Sequence, residues 1–158
     1  MFTLESASFA PGGDIPSRHT CDGIDSSPPL HWRDPPPGTR SFVLIVDDPD
    51  APDPAAPIRV WVHWLLYDIP ASCTSLAEGI EHKGLPSGTR VGVNDSGDAH
   101  WGGPCPPIGR HRYFFTLYAL VDTLPDLGPR VHRADLDKAM HGHVLAQAQL
   151  MGHYGHTK

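Results

Sequence analysis

The chain has 158 residues, of which 39% are hydrophobic, 16 are glycine and 18 are proline. This length and apolar content fit a single domain, residues 1–158, with one core of its own. The formal net charge is −6 and no run of lysine or arginine occurs, which excludes the basic surface that nucleic acids and anionic membrane surfaces require. No stretch approaches the ~20 apolar residues of a membrane span.

The elements predicted in chain order are mostly short strands joined by rigid turns. A strand over residues 2–9 precedes a glycine- and proline-rich loop, and residues 27–32 are extended because a residue before proline avoids helical angles. The β-branched run 41–47 predicts a central strand buried on both faces, ending where Asp48-Pro49 removes a backbone donor. Further strands are predicted at 60–67 and 113–121, and the irregular stretch between them has room for a short one at 91–93.

One helix is predicted late in the chain, from an N-cap near Asp135 to Met151. Gly142 inside it is expected to permit close packing on the sheet, and residues 152–158 are expected to be a loose polar tail. Strands first and one helix last predict a mainly β fold, a β-sandwich with a C-terminal α-helix and a few short helices or turns. Apolar residues recur in the predicted helix every four positions, at Leu136, Met140, Val144 and Ala148.

The three cysteines, Cys21, Cys73 and Cys105, show no metal-ligand spacing. The first residues have neither the basic start nor the apolar segment of a signal peptide, so the simplest compartment is a reducing cytoplasm. A Cys21–Cys105 disulfide stays open as an alternative, since both cysteines lie in loops flanked by proline or glycine.

Two histidines lie beside predicted strands and are the first candidates for a binding site. His63 is expected to share a strand face with Trp61 and Leu65, either as a core histidine satisfied by a backbone carbonyl or as a ligand-binding group. His111 follows a Pro-Pro-Ile-Gly turn, a position that favours a ligand-facing side chain, and Tyr113 shares its face.

Nearby groups complete a hypothetical receptor for a small anion. Asp48 is expected to hold one imidazole in the correct tautomer, because a carboxylate would itself repel the anion; turn initiation is the alternative role. Asp50 is expected to orient its loop, and Gly102-Gly103-Pro104 to form a rim whose free backbone amides favour anions. These inferences require the fold to bring distant segments together.

Motifs along nearly the whole chain resemble those of one known family. They include Thr20-Cys21-Asp22-Gly23, Ser27-Pro28-Pro29-Leu30, Asp48-Pro49-Asp50-Ala51-Pro52, His63-Trp64, Gly102-Gly103-Pro104-Cys105-Pro106-Pro107 and His111-Arg112-Tyr113. On these residues the chain is similar to the phosphatidylethanolamine-binding proteins, the Raf-kinase-inhibitor-like family, and in particular to its bacterial and archaeal branch.

The resemblance implies a Greek-key β-sandwich and non-enzymatic binding of phosphate-like anions or phosphorylated head groups, without a metal or cofactor. It also implies that a protein kinase or a serine protease is a partner that the protein inhibits. The turn 108–110 and the loop 50–59 differ from those of animal members, so animal partner contacts do not carry over. The pocket carried over by position consists of Asp48, Ala51, Trp61, His63, Pro106, Pro107, His111 and Tyr113.

An enzyme is the alternative, either a hydrolase or a metal-dependent enzyme that uses His63, His111 and Asp48. The hydrolase lacks an evident nucleophile, since no Gly-x-Ser-x-Gly motif occurs. Two histidines and a carboxylate match the donor set of a facial metal triad. A homodimer is compatible with a β domain of this size.

Overall fold

The computed structural model describes residues 1–156, apart from the side chains of residues 82 and 83. Its strands form two antiparallel sheets, one with the strands in the order 3–5, 30–33 and 75–76, and one in the order 90–91, 59–70, 41–51, 111–120 and 144–154. The strands of the smaller sheet are β1 (Thr3–Glu5), β2 (Leu30–Arg33) and β5 (Ser75–Leu76). Those of the larger sheet are β3 (Ser41–Ala51), β4 (Arg59–Pro70), β6 (Arg90–Val91), β7 (His111–Leu120) and β8 (Val144–Tyr154). The helical elements are a 3-10 turn (Ser17–His19), α1 (Ile80–Lys83) and α2 (Arg133–Met140).

The core has two apolar layers, one on each face of the larger sheet. The first lies between the sheets, where Trp32 of the smaller sheet meets Phe42 of the larger one. The second lies on the opposite face, where Val43 and Ile45 join Leu136 of α2 in one cluster. Residues of β3 alternate between the two layers and all are buried from 41 to 46, which confirms the central strand predicted to be buried on both faces.

The strand β3 continues past Asp48-Pro49 to Ala51, so the predicted end at Asp48 is wrong. The pairing of β3 with β4 is irregular between the pairs Asp48–Trp61 and Ala51–Arg59. Pro49 falls in this irregular stretch, where a missing N–H costs no ladder hydrogen bond. The extension matters for function because it carries Asp48 and Ala51 to the end of the sheet.

The predicted helix is half right, because α2 ends at Met140 and residues 144–154 form the strand β8, which pairs with β7 along its length. Asp135 is the third helical residue of a capping box, and His132 is the N-cap. A spacing of four residues fits both structures, since it is close to one helical turn and equals two strand repeats. Gly142 lies between the two elements with φ +81 and has nothing near its missing Cβ, so it serves the turn and not close packing.

The predicted loose tail is wrong as far as the structure describes it. Residues 152–154 belong to β8, and a Cβ at Gly152 would lie 2.7 Å from both Phe9 and Ile15. Residues 157–158 of that tail lie outside the described part of the chain. The end of β8 therefore packs on the N-terminal segment and places Tyr154 and His156 beside the loop that contains Cys21 and Asp22.

The stretch between β4 and β7 contains β5, α1 and β6, and the short strand expected at 91–93 is observed as Arg90–Val91. No helix in the described part of the chain is both long enough and apolar enough to cross a lipid bilayer.

Candidate functional site

All eight side chains carried over by position line one cavity of about 560 Å³. The eight come from four chain segments: the end of β3, the start of β4, the loop before β7 and the start of β7. The structure thus brings together side chains that lie far apart in the sequence. Their contact with a ligand stays a prediction. The eight residues are Asp48, Ala51, Trp61, His63, Pro106, Pro107, His111 and Tyr113.

Asp48 and His111 form a buried pair at the base of this cavity. The Nδ1 atom of His111 lies 2.6 Å from Oδ2 of Asp48, and its Nε2 atom lies 2.8 Å from the carbonyl oxygen of Ile108. Both partners are acceptors, so only an imidazole ring that is protonated on both nitrogens donates to both. The expected orienting role of Asp48 agrees with this geometry. The backbone N–H of Asp50 donates to the other carboxylate oxygen at 2.7 Å.

His111 was expected to face a ligand, and its geometry differs from that expectation. Its side chain is fully buried, and both ring nitrogens already have partners. The reason is the turn before β7, which folds back so that the carbonyl of Ile108 meets the ring. His111 therefore belongs to the cavity wall but has no nitrogen left for a direct hydrogen bond or for a metal ion.

His63 is positioned by a bulge in β4. The pairs Val46–Trp64 and Asp47–Val62 differ in register by one residue, which leaves His63 as the extra residue. The expectation that His63 shares a face with Leu65 is therefore wrong, because Leu65 packs in the cluster with α2 while His63 lines the cavity. Simple alternation fails wherever a strand carries an additional residue.

One nitrogen of His63 is satisfied by the backbone and the other is not. Nδ1 lies 2.6 Å from the carbonyl oxygen of Gly102, so Nδ1 donates and Nε2 carries the lone pair of the neutral ring. Within residues 1–156, the buried Nε2 has no hydrogen-bond partner. Burial lowers the pKa of His63, although the Gly102 carbonyl and the carboxylate of Asp48 oppose the shift.

Tyr113 supplies a second polar atom without a partner. Its hydroxyl group is buried and has no hydrogen-bond partner in the described part of the chain. The ring centroids of Tyr113 and His63 are 5.3 Å apart, and the Tyr113 ring stacks on His111 at 6.3 Å. Burial raises the pKa of Tyr113, with a further contribution from Asp48, so the hydroxyl group keeps its proton and acts as a donor.

The rim was expected to offer free backbone amides, and this expectation is wrong. The N–H of Gly102 donates to the His63 carbonyl at 3.1 Å, and the N–H of Gly103 donates to Asp25 at 2.9 Å. A Cβ at Gly103 would lie 2.1 Å from the Asp25 carboxylate and 2.3 Å from the carbonyl oxygen of His19. The glycines therefore serve close packing of two loops.

Three further charged side chains line the cavity and were not predicted from the sequence: Arg59, Asp25 and Asp98. Arg59 lies over the Trp61 ring at 4.5 Å and pairs with Asp95 at 3.4 Å, which places a cation at the mouth. Its position two residues before Trp61 in a strand was the available signal. Asp25 lies in a loop whose sequence carries no such signal, and burial raises its pKa while the Gly103 N–H opposes the shift.

Cys21 and Cys105 form a disulfide, the alternative that the sequence left open, and both line the cavity. Cys73 is free. Among the described side chains, one group has metal-ligand spacing and consists of Cys21, Cys105 and His156, but the disulfide occupies its two sulfur atoms.

Comparisons with known proteins agree with the motifs. A family model for phosphatidylethanolamine-binding proteins matches residues 5–155. A UPF0098 protein of Methanothermobacter thermautotrophicus is 49% identical over 152 residues, which cover 96% of this chain and 97% of the relative. A UPF0098 protein of Aquifex aeolicus is 46% identical over 151 residues, which cover 94% of this chain and 85% of the relative.

Two solved structures share the fold over their whole length. A phosphatidylethanolamine-binding protein homologue from Chlamydia trachomatis has a TM-score of 0.89 at 38% identity, covering 99% of this chain and 98% of that one. YbcL of E. coli, described as a member of the mammalian family, has a TM-score of 0.88 at 31% identity, with 99% of both chains covered. The predicted mainly β sandwich is confirmed.

Proposed function

Because the chain belongs to the phosphatidylethanolamine-binding protein family, whose model spans residues 5–155, we propose that it is a non-enzymatic receptor for phosphate-like anions or phosphorylated head groups. Membership of the family supports a ligand-binding role. The observation that carries the anion proposal is the pair of buried polar atoms without partners, Nε2 of His63 and the hydroxyl of Tyr113, in one cavity. Buried polar groups normally have partners, so two such atoms in one cavity support the proposal of a ligand that bonds to both.

The two atoms play different parts in binding an oxyanion. The Tyr113 hydroxyl donates as it stands, whereas Nε2 of His63 donates only after it takes up a proton. The His111–Asp48 pair behind them is neutral overall when the imidazole is doubly protonated, and Arg59 attracts anions at the mouth. Charge-assisted hydrogen bonds contribute about 1.5–3 kcal/mol each, so two of them support micromolar-to-millimolar affinity.

The test is a titration with inorganic phosphate and with phosphoethanolamine, followed by NMR of the histidine and tyrosine side chains. We expect selective shifts of His63 and Tyr113. Tyr113→Phe should weaken binding at least about tenfold, because it removes the hydroxyl group that donates a hydrogen bond to the charged ligand. Tyr118→Phe, on the same strand but in the layer next to α2, is the matched control. Equal affinity of the two variants would show that the ligand binds elsewhere.

The non-enzymatic role is supported by the partners of the cavity histidines. His63, His100 and His111 bond to carbonyl or carboxylate oxygens, and among the described side chains none of the three bonds to a hydroxyl or thiol that it would activate as a nucleophile. Hydrolysis of phosphate esters or peptides, lost in His63→Gln, would be evidence for the enzyme instead.

Inhibition of a protein kinase or serine protease is proposed on the resemblance and on the surface around the cavity mouth. Ile58 and Ile108 are exposed there, Ile58 lines the cavity, and Ile108 follows Pro107 directly. Exposed aliphatic side chains around a polar cavity suit a protein partner that presents a phosphorylated or acidic residue. Kinase and serine-protease assays with and without the purified protein test this role, and inactivity in both would leave only small-anion binding.

A cytoplasmic location stays part of the proposal, although disulfides are more frequent in oxidising compartments. Rapid acid quenching of cells, followed by thiol alkylation and mass spectrometry, measures whether Cys21 and Cys105 are joined in the cell.

A further inference from the structure

The Cys21–Cys105 disulfide is open to attack from solvent. Both cysteines are exposed, and both belong to the wall of the cavity described above. Because both residues are exposed, we expect a small thiolate to reach the disulfide without unfolding of the chain. Disulfides that serve only as structural links are more often inaccessible, and exposure is a property of those that exchange.

The two loops that carry these cysteines are also held together without the disulfide. The N–H of Cys21 donates to the carbonyl of Pro104 at 3.1 Å, next to Cys105 in sequence. The indole N–H of Trp101 donates to the carbonyl of His19 at 3.1 Å, and Gly103 donates to Asp25. After the S–S bond opens, these contacts keep the sulfur atoms close, and closure is an intramolecular reaction at high effective concentration.

A histidine with a carboxylate partner lies beside the sulfur atoms. A ring nitrogen of His156 and the two sulfur atoms all lie within 4.8 Å of one another. Nδ1 of His156 is 2.7 Å from Oδ2 of Asp22, and the Tyr154 hydroxyl donates to the same oxygen. Hydrogen bonds from Tyr154 and then His156 lower the pKa of Asp22, so this residue stays a carboxylate that orients the ring. Nε2 of His156 has no partner within residues 1–156.

We propose that Cys21–Cys105 is a site of reversible thiol–disulfide exchange with low-molecular-weight thiols, with His156 as the proton donor to the departing sulfur. A thiolate forms a bond to one cysteine sulfur, the S–S bond breaks, and its electron pair leaves on the other sulfur, which takes a proton from His156. A second thiol molecule then attacks the mixed disulfide. The products are an oxidised low-molecular-weight disulfide and two protein thiols, and the reverse sequence restores the bond.

The first experiment follows opening of the bond in the folded protein by glutathione. Samples are quenched by alkylation and the modified cysteines counted by mass spectrometry. His156→Gln should open about tenfold more slowly, because loss of a positioned proton donor removes one general-acid contribution. General-acid catalysis requires a protonated ring, so the ratio of the two opening rates should change with pH, which a merely structural role does not produce. His143→Gln is the matched control, since His143 and Asp122 form a similar exposed pair.

The second experiment traps the intermediate. In a Cys73→Ser background, Cys105→Ser leaves Cys21 as the remaining cysteine, and oxidised glutathione should form a mixed disulfide with it in the folded protein. The proposal is overturned if glutathione opens the bond only under unfolding conditions, or if His156→Gln and His143→Gln match wild type at every pH. Both readouts are independent of phosphate binding, so loss of the proposed receptor function leaves this result interpretable.

Discussion

At the scale of single residues, His63 and His111 illustrate how burial assigns different tasks to the same side chain. His111 has an acceptor on each ring nitrogen, whereas His63 has one carbonyl partner and one nitrogen without a partner. The fixed pair with Asp48 therefore shapes the cavity, and the half-satisfied ring of His63 is the group that we propose responds to a ligand. Sequence position alone would have assigned the roles the other way.

The first prediction concerns proton uptake by His63. Burial lowers the pKa of His63 in the free protein, and an anion at Nε2 favours the protonated ring, so binding should strengthen as pH falls. Sulfate is the suitable probe because its charge is constant over this range. Calorimetry at pH 6 and pH 8, in buffers of different ionisation enthalpy, measures the protons taken up on binding.

The controls for this prediction separate His63 from its titratable neighbour. His63→Gln should bind sulfate weakly and without pH dependence. Burial raises the pKa of Asp25, so this carboxyl group also loses charge in acid, and Asp25→Asn should retain the pH dependence that belongs to His63. If the pH dependence survives in His63→Gln and disappears in Asp25→Asn, the proton is taken up by Asp25 and not by His63.

At the scale of elements, side chains tie the end of β3 to the start of β7 beyond the regular ladder. The ladder between these strands ends at the pair Asp47–Phe114, and past it Asp48 bonds His111 while Asp50 bonds both the backbone and the guanidinium of Arg112. The side chains of Asp48 and His111 are 4% and 0% exposed, so separating them would leave a buried charge without a partner. The cavity wall depends on this connection.

The second prediction follows from that burial. Asp48→Asn should lower the free energy of unfolding by about 3–5 kcal/mol, because it removes the carboxylate from a buried, hydrogen-bonded pair. Urea unfolding measures the change. Asp122→Asn removes the exposed partner of His143 and should cost less than about 1 kcal/mol. Similar losses in both variants would mean that burial does not strengthen the pair.

The element boundaries show which part of the fold was accessible from sequence patterns. The continuous apolar run of β3 has no competing interpretation, and it was predicted correctly over residues 41–47. The run that contains Leu136, Met140 and Ala148 fits two periods, and the structure divides it between α2 and β8. Pairing with β7 decides the outcome, because it satisfies the backbone of residues 144–154 along the edge of the sheet.

At the scale of the whole molecule, folding places two histidines in environments that disfavour their charged form. Burial lowers the pKa of His19 as well as that of His63. His19 is fully buried, with the Ser26 carbonyl at 2.8 Å from Nδ1 and the Ser8 hydroxyl at 3.1 Å from Nε2. Both side chains therefore couple the stability of the whole protein to pH.

The third prediction gives the sign of that coupling. Above about pH 6.5, the ordinary histidine value, both rings are neutral in the folded and unfolded chains, and their contribution is fully present. As pH falls, the unfolded chain binds protons first, so the free energy of unfolding decreases by at most about 1.4 kcal/mol per pH unit for each histidine. The decrease ends once the pH is below the lowered pKa that the histidine has in the folded protein.

Urea unfolding at several pH values tests this sign. His19→Gln should unfold with a smaller dependence on pH than wild type below pH 6.5, whereas His31→Gln, which changes an exposed histidine of β2, should leave the dependence unchanged. A steeper dependence in His19→Gln would contradict the predicted direction.

Apolar runs in the sequence were enough to predict the class of the fold and the central strand, and the family that the motifs resemble supplied the eight side chains that line the cavity. The tertiary structure alone decided that His111 is enclosed, that the bulge turns His63 away from Leu65, that the rim amides are occupied and that the last strand replaces half of a helix. Each of these depends on hydrogen-bond partners from distant segments, and a partner that arrives from another strand or loop leaves no periodic signal in the chain it meets.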